Sequence, residues 1–423
     1  MLLYIVFHYD KDVFKIHLLK EGITMLSTDQ MNAIKQSAPL LKAEGTKLVT
    51  VFYQNMIRQH PELLNQFNKT NLMNGSQPEA LAATLYQAAL HIDRLADLLP
   101  AVKQIAHKHV SVMVKKEQYP IVGYHLLEAM KEVFGLSEED DTLLAWKAAY
   151  DIIANIFITI EAEMMAENVK QTGGWADVKP FIVKKKKQES PSLISFYLVP
   201  EDESELPMYE AGQYITVQVD MPGEAYVCSR QYSLSDQYHP SYYRITVKRD
   251  GHVSTFLHDE MEEGDVLHVS MPQGMFCLKD DTKEPVYLIS AGSGVTPMIG
   301  LVKTASHNNQ PFTMIHADRL EDVTAFEQEF EHVLTSSPEG RIILCNEQFE
   351  KSVKSELVEK VATRIDRPFL QSVIGEGKGQ FYVCGSPVFT QEMILILKAL
   401  DIPEENIHFE AFGGQSMKEM EVV

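Results

Sequence analysis

Cysteine is scarce in this chain of 423 residues, and positive charge is outnumbered. The four cysteines, Cys228, Cys277, Cys345 and Cys384, lie far apart. None forms a Cys-x-x-Cys pair or a zinc-like spacing, so a disulfide framework is disfavoured and a reduced, cytoplasmic setting is expected. Lys plus Arg total 38 against 59 Asp plus Glu, a formal charge of −21. That balance repels phosphate backbones and anionic headgroups, so neither nucleic acid nor a membrane surface is the expected partner. No apolar run reads as long enough to cross a bilayer, and membrane insertion is not expected. No internal repeat is present. The content of 45% hydrophobic and 23% charged residues excludes a disordered or fibrous class.

What is present suffices for about three domains at roughly 150 residues each. The first stretch stands apart. Residues 1–7 lack a basic leader and run straight into His8, Asp10, Lys11 and Asp12, which makes a poor signal peptide. Lys20-Glu21-Gly22 can be encoded by a purine run like a bacterial ribosome-binding site, upstream of Met25. Ser27-Thr28-Asp29-Gln30 then offers a helix cap. The expectation is that 1–24 is translated leader or disordered extension and that Met25 is the true start.

Three textures follow. Residues 25–165 are helical throughout, with Leu81, Leu85, Ala88, Ala89, Ile92 and Leu95 at i, i+3/i+4 spacing. Leu144, Lys147, Ile152, Ile153, Ile156 and Ile160 continue the pattern. Pro61, Pro78, Pro100 and Pro120 stand where helices would begin. Gly173-Gly174 marks a linker over 166–177. Residues 178–281 alternate β-branched and aromatic residues between Pro-Gly and Asp-Gly turns, the pattern of an antiparallel β-barrel. The lysine run at 184–187 reads as a solvated strand edge. From 282 to 423 strands alternate with helices, as in a doubly wound parallel α/β sheet. The fold class is therefore multidomain: all-α, then β-barrel, then α/β.

Ser290-Ala291-Gly292-Ser293-Gly294-Val295-Thr296-Pro297-Met298 follows the first α/β strand and opens a helix. Glycines there let backbone N–H groups approach a pyrophosphate. Tyr382-Val383-Cys384-Gly385-Ser386-Pro387 repeats the strand–glycine–helix arrangement. In the barrel, Arg230-Gln231-Tyr232-Ser233 supplies a fork for phosphate, a flat aromatic face and a hydroxyl. Gly212-Gln213-Tyr214, Val247-Lys248-Arg249, Gly251-His252-Val253-Ser254 and Phe409-Glu410-Ala411-Phe412-Gly413-Gly414 complete the set. Together they resemble ferredoxin-reductase-type flavoproteins, which bind FAD on the barrel and NAD(P)H on the α/β domain. The resemblance implies FAD contacts at Tyr214, Arg230, Gln231, Tyr232, Ser233, Lys248, Val253, Ser254, Ala411, Phe412, Gly413 and Gly414. It implies NAD(P) contacts at Gly292, Ser293, Gly294, Val295, Thr296, Pro297, Cys384 and Gly385. Asp318 suits a ribose hydroxyl and Arg319 a 2′-phosphate, so NADH and NADPH are not separated by sequence.

Among the histidines of the helical domain, His91, His107, His109 and His125, only His109 has company of the right type. Tyr119 and Glu161 could fix its tautomer as an iron ligand requires. With Phe52-Tyr53, Phe67 and Gln77 the domain resembles a globin. Joined to the reductase, it is similar to the flavohaemoglobin family from Met25 to about Gly414. The resemblance implies haem b, FAD and NADH or NADPH as cofactors, O₂ and NO as small-molecule substrates, and a monomer. It implies nitric oxide dioxygenation: NAD(P)H reduces FAD, FAD reduces haem iron, and O₂ on ferrous haem converts NO to nitrate. In that scheme His109 is the axial ligand and Tyr119 and Glu161 the proximal relay. Tyr53 and Gln77 face the ligand, Phe67 and Leu81 line the haem pocket, and Lys108 and Glu410 sit near the haem–flavin junction. The alternatives are a haem/flavin reductase acting on hydroperoxides or other acceptors, and an oxygen-storing or oxygen-sensing haemoprotein. The complete hydride-input apparatus argues against storage, and no output domain for a sensor is evident.

Overall fold

The computed structural model describes residues 26–67, 76–94, 99–279, 284–349, 353–354, 357–375 and 377–413. The proposed leader, 1–24, lies outside the described residues, as does Gly414. The chain forms two compact units, one ending at Glu167 and the other spanning Asn168–Gly413.

The first unit is helical. Helix α1 (Thr28–Gln59) starts where the cap was expected. Ser27 Oγ accepts the Gln30 N–H at 3.2 Å, and Gln30 Oε1 accepts the Ser27 N–H at 2.8 Å. Reciprocal capping of this kind satisfies two helix-end donors that would otherwise be left to water. The helix continues through Pro39, which sits on its exposed side. Pro61 opens a 3₁₀ turn, Pro61–Asn65. Then come α2 (Ser76–Leu90), α3 (Leu99–Ser111), α4 (Tyr119–Phe134) and α5 (Asp141–Lys170), with Pro78, Pro100 and Pro120 in their first turns. Trp146 on α5 donates its indole N–H to the buried Ser37 hydroxyl on α1 at 3.0 Å, tying the two longest helices.

Two expectations need correcting here. The buried face of α5 begins at Leu143, Ala145, Trp146 and Ala149, while Leu144 and Lys147 are exposed. Only the first turns of the expected stripe are out of phase, because the helix is apolar on more than one face; Ile152 and Ile156 are buried and Ile153 and Ile160 half-buried, as expected. The same helix is also long and apolar enough, by length and composition, to cross a membrane. Its apolar side chains are in use inside the domain: Leu143, Trp146, Ile152, Ile156 and Phe157 are all buried. Burying each such side chain contributes about 1.5–3 kcal/mol.

The second unit begins with six antiparallel strands: β1 (Val178–Ser190), β2 (Leu193–Pro200), β3 (Tyr214–Val219), β4 (Cys228–Ser233), β5 (Tyr243–Lys248) and β6 (Val266–Ser270). Their order is β4-β3-β6-β1-β2-β5, and a bridge between Leu234 and Ile245 joins the two edges, as barrel closure requires. A short helix, α6 (His252–Asp259), lies between β5 and β6. The lysine run is only partly solvated. Lys186 Nζ donates to the His258 and Met261 carbonyls at 2.7 Å each, closing the end of α6.

A parallel sheet follows, with β7 (Val286–Ala291), α7 (Val295–His307), β8 (Phe312–Ala317), α8 (Glu327–Thr335) and β9 (Gly340–Cys345). The chain continues through β10 (Val353–Lys354), β11 (Glu359–Val361), α9 (Arg367–Ile374), β12 (Gln380–Gly385), α10 (Pro387–Ala399) and β13 (Ile407–Ala411). The order is β10-β11-β9-β8-β7-β12-β13, with only β10 antiparallel to its neighbour. The order therefore reverses between β7 and β12, and ligands bind beyond the carboxyl ends of strands at such a reversal. Leu193, Ala211 and Phe276 from the barrel share one core with β7, α7 and β8 residues, so barrel and sheet are continuous inside.

Candidate functional site

His109 lies near the end of α3. The chain then turns through Met113, which has a positive φ of 57°, and a 3₁₀ turn at Lys116–Gln118. That turn returns Tyr119, the first residue of α4, to the imidazole. Glu161 arrives from α5 and is 3% exposed. His109 Nδ1 is 2.7 Å from Glu161 Oε1 and 3.1 Å from Tyr119 Oη, while Tyr119 Oη donates to Glu161 Oε1 at 2.6 Å.

The single Nδ1 proton goes to the better acceptor, the carboxylate, and Tyr119 gives its own proton to the same oxygen. This assignment follows from the bonding pattern. Burial, then the neighbouring carboxylate, pushes the Tyr119 hydroxyl far up, so it stays a donor. With Nδ1 protonated, the lone pair of the neutral ring sits on Nε2, which has no hydrogen-bond partner among the described residues. A neutral imidazole, tautomer fixed and second nitrogen open, is what iron ligation asks for. Tyr150 Oη donates to the Tyr119 carbonyl at 2.6 Å and steadies the turn. Phe157 packs its ring 5.4 Å from the His109 ring. Sequence reasoning passed over Phe157, although it stands four residues before Glu161 and so shares its helix face.

The residues expected on the other haem face come together in a second cluster. Tyr53, on α1, meets Phe67 edge-on at 5.6 Å and Phe52 at 4.8 Å, and Leu81 packs against the same cluster. The His109 side has its own cluster of Ala106, Tyr119, Ala154 and Phe157. Gln77 is within α2, but its side chain lies outside the described residues. Lys108 is exposed beside His109 on α3, and Glu410 belongs to the second unit. Two of the other histidines have neighbours of their own. His91 bonds Arg94 at 3.0 Å, and His125, 1% exposed, stacks edge-on with His60.

In the barrel, Tyr214 opens β3 and pairs with Ser233, and Val217 pairs with Arg230. Among the described residues the Arg230 guanidinium gives one bond, from Nη1 to the Ser229 carbonyl at 2.8 Å, leaving donors for a phosphate. Tyr232 packs its ring partly against the barrel core, and Gln231 is exposed on the same strand. Val253 and Ser254 occupy the first turn of α6, where Ser254 Oγ accepts the Asp250 and Gly251 N–H groups at 3.0 and 2.9 Å. The remaining free amides of that turn form the positive end of the helix, a fitting place for the flavin's phosphates.

In the parallel sheet, β7 ends in the turn Gly292–Gly294, which runs into α7 through Val295, Thr296 and Pro297. Gly292 has a φ of 57°, which a side chain would resist. A Cβ on Gly294 would collide with the Cys384 carbonyl and the Gly385 amide, so the two glycine turns touch backbone to backbone. Such a cradle leaves amides free to approach a pyrophosphate. Cys384 pairs with Glu410 and Gly385 with Ala411, and the Phe412 N–H donates to the Gly385 carbonyl at 2.7 Å. Gly413 follows, beside Pro387. Burial pushes the Glu410 carboxyl up to about 7 and the Cys384 thiol well above its ordinary value. Lys248, expected on the flavin, is held at the sheet edge by Asp318, with Nζ 3.1 Å from Oδ1.

Comparison with known proteins agrees with this architecture. Residues 50–157 match the Globin family, 180–277 the Oxidoreductase FAD-binding domain, and 288–394 the Oxidoreductase NAD-binding domain. The chain is similar to the Flavohemoprotein of Bacillus subtilis strain 168, 42% identical over 92% of this chain and 98% of that one. It is similar also to the Flavohemoprotein of Deinococcus radiodurans, 39% identical over 92% of this chain and 97% of that one. A flavohemoglobin structure from Malassezia yamatoensis shares the fold, with a TM-score of 0.80 at 23% identity over 92% of this chain and all of that one. The chain therefore belongs to the flavohaemoprotein family, oxidoreductases in which NAD(P)H, through FAD, delivers electrons to haem.

Proposed function

We propose that this oxidoreductase is a nitric oxide dioxygenase with O₂ and NO as its substrates. The observation that carries the reading is the pair of donors, His109 and Tyr119, converging on one buried Glu161 oxygen. A proximal ligand made electron-rich in this way favours O₂ chemistry over simple storage. The same chain has its own hydride input, which storage does not need.

Bound haem supplies the place where O₂ is held, and bound FAD converts a hydride into single electrons. Each remaining part of the work falls to a side chain. His109 Nε2 would hold the iron. Glu161 Oε1 keeps the Nδ1 proton and so the tautomer. Tyr119 donates to that carboxylate and stops it from turning away. Tyr53 would offer its hydroxyl to a ligand that gathers negative charge. The balance is simple. NO and O₂ together hold every atom of nitrate but lack one electron, and each hydride supplies two electrons, enough for two nitrates. A cytoplasmic, reduced setting belongs to this proposal and is supported by four free thiols, Cys228, Cys277, Cys345 and Cys384.

The test is anaerobic reduction by NADH or NADPH, followed by O₂ and NO while haem absorbance and nitrate are recorded. Two nitrates per reduced nicotinamide consumed is the expected result. Reduced flavin without any haem change, or NO loss without nitrate, would overturn the reading. Faster turnover with hydroperoxides than with NO would favour the reductase alternative.

A further inference from the structure

Strand β8 ends at Ala317, in register with Ala291 at the end of β7. Asp318 and Arg319 therefore emerge beside the Gly292–Gly294 turn. When a dinucleotide lays its pyrophosphate over that first turn, its adenosine ribose comes to the end of the next strand. A free carboxylate there accepts the ribose hydroxyls of NAD(H), while a free arginine receives the 2′-phosphate of NADP(H).

Asp318 is not free. Its side chain is 5% exposed, and its two oxygens are 3.1 and 3.2 Å from Lys248 Nζ. Oδ1 also accepts the Arg319 N–H at 2.8 Å. Lys248 comes from the end of β5, and its ammonium stands 3.3 Å from where a Cβ on Gly292 would be. Asn346 donates to the Asp318 carbonyl at 2.8 Å and fixes the turn from the side of β9. Arg319 is the opposite case. It is exposed, and its guanidinium has no partner among the described residues. Its backbone is nonetheless held, because the Arg319 carbonyl accepts the Asp322 and Val323 N–H groups at 3.0 and 2.9 Å. Asp322 is in turn buried and bonded to the Ser192 hydroxyl at 2.8 Å.

We infer that Arg319 recognises a 2′-phosphate, so that the chain takes NADPH in preference to NADH. Lys248 completes the device by occupying the carboxylate that would otherwise select NADH and repel a phosphate. The planar five-donor fork of arginine matches two phosphate oxygens at once. The inference rests on the NAD(P) site and is independent of which substrate the haem domain turns over.

Calorimetric titration of the holoprotein with 2′,5′-ADP and with 5′-AMP, without NO or turnover, tests it. The bisphosphate should bind at least about tenfold more tightly, with the margin shrinking as salt is raised. Arg319→Ala should cut the ratio below about threefold through loss of the bisphosphate's affinity alone, and Arg319→Lys should restore part of it. Equal or tighter binding of 5′-AMP by the natural chain would overturn the inference. So would an unchanged ratio in Arg319→Ala, or failure of both nucleotides to bind. Any of these with nitrate formation intact removes the NADPH inference and leaves the dioxygenase reading standing; the converse result does the reverse.

Discussion

Glu161 Oε1 accepts two hydrogen bonds, from Tyr119 Oη at 2.6 Å and from His109 Nδ1 at 2.7 Å, across more than forty residues of sequence in each case. The carboxylate is thus the point at which three helices agree on the orientation of one imidazole.

Glu161→Gln keeps the shape and removes the negative charge. The iron midpoint potential should rise, since the oxidised, more positive state loses its stabilising partner. Loss of one charge-assisted bond, about 1.4 kcal/mol, corresponds to on the order of 60 mV for a one-electron couple. Potentiometric titration of the haem band measures it. No shift would mean that the Glu161 charge does not reach the iron.

Tyr53→Phe should speed O₂ dissociation at least about tenfold, equal to about 1.4 kcal/mol, while haem content stays normal. Flash photolysis or stopped-flow displacement reads the off-rate. An unchanged rate would place Tyr53 among the core aromatics only.

Gly294→Ala should push the two glycine turns apart, because its methyl group would meet the Cys384 carbonyl. Overpacking of this type costs about 1–3 kcal/mol, here charged against the nucleotide site. KM for the reduced nicotinamide should rise about tenfold or more while flavin and haem contents are retained.

Glu329→Gln should destabilise the reductase half. Arg244 holds Glu329 with two bonds, 3.0 and 2.9 Å long, and Lys303 Nζ lies 2.5 Å from both Glu329 Oε1 and Asp236 Oδ1. Burial would raise the Glu329 carboxyl, but Arg244 and Lys303 outweigh it and hold it below its ordinary value. Breaking a buried pair costs about 3–5 kcal/mol, and the remaining Asp236 should keep the loss near the lower end. Thermal release of flavin fluorescence would report it.

Stability against pH has two opposed contributors in the second unit. His316 is buried against Ser290, and desolvation lowers its pKa from 6.5 to about 4. Its folded value lies below its unfolded one, so stability is intact above about pH 6.5 and falls by up to about 3 kcal/mol as pH drops toward 4. Glu410, raised to about 7 by burial, has the opposite sign. It costs stability above pH 7 and returns it as pH falls toward its unfolded value near 4.3. The two slopes offset each other in the natural chain. His316→Asn should therefore make the chain relatively more stable at pH 5 than at pH 7.5, as read from thermal midpoints. An identical gap at both pH values would show that His316 is not the acid-labile group.

The architecture of the reductase half was legible because glycine turns and the strand pattern are local signals. His109, Tyr119 and Glu161 were legible only by their residue types and the globin resemblance, since three residues on three helices share no spacing. The start of α5 was misread at Leu144 and Lys147, because Leu143 and Leu144 are chemically alike and only packing selects between them; the stripe from Ile152 to Ile160 was read correctly. The Arg244–Glu329–Lys303–Asp236 group could not be found at all: its members are ordinary surface residue types until the barrel and sheet meet. Asp318 was the subtlest case. The sequence places it at the end of β8, but its engagement by Lys248, seventy residues upstream, is visible only in the structure.

That charged group and the shared core beside it carry a further consequence. Barrel and sheet are not interchangeable cassettes. A chimera that exchanges one nucleotide module for a foreign one would have to import Arg244, Asp236, Lys303 and Glu329 together, along with Leu193, Ala211 and Phe276. The smallest portion that can be transplanted whole is therefore the complete reductase.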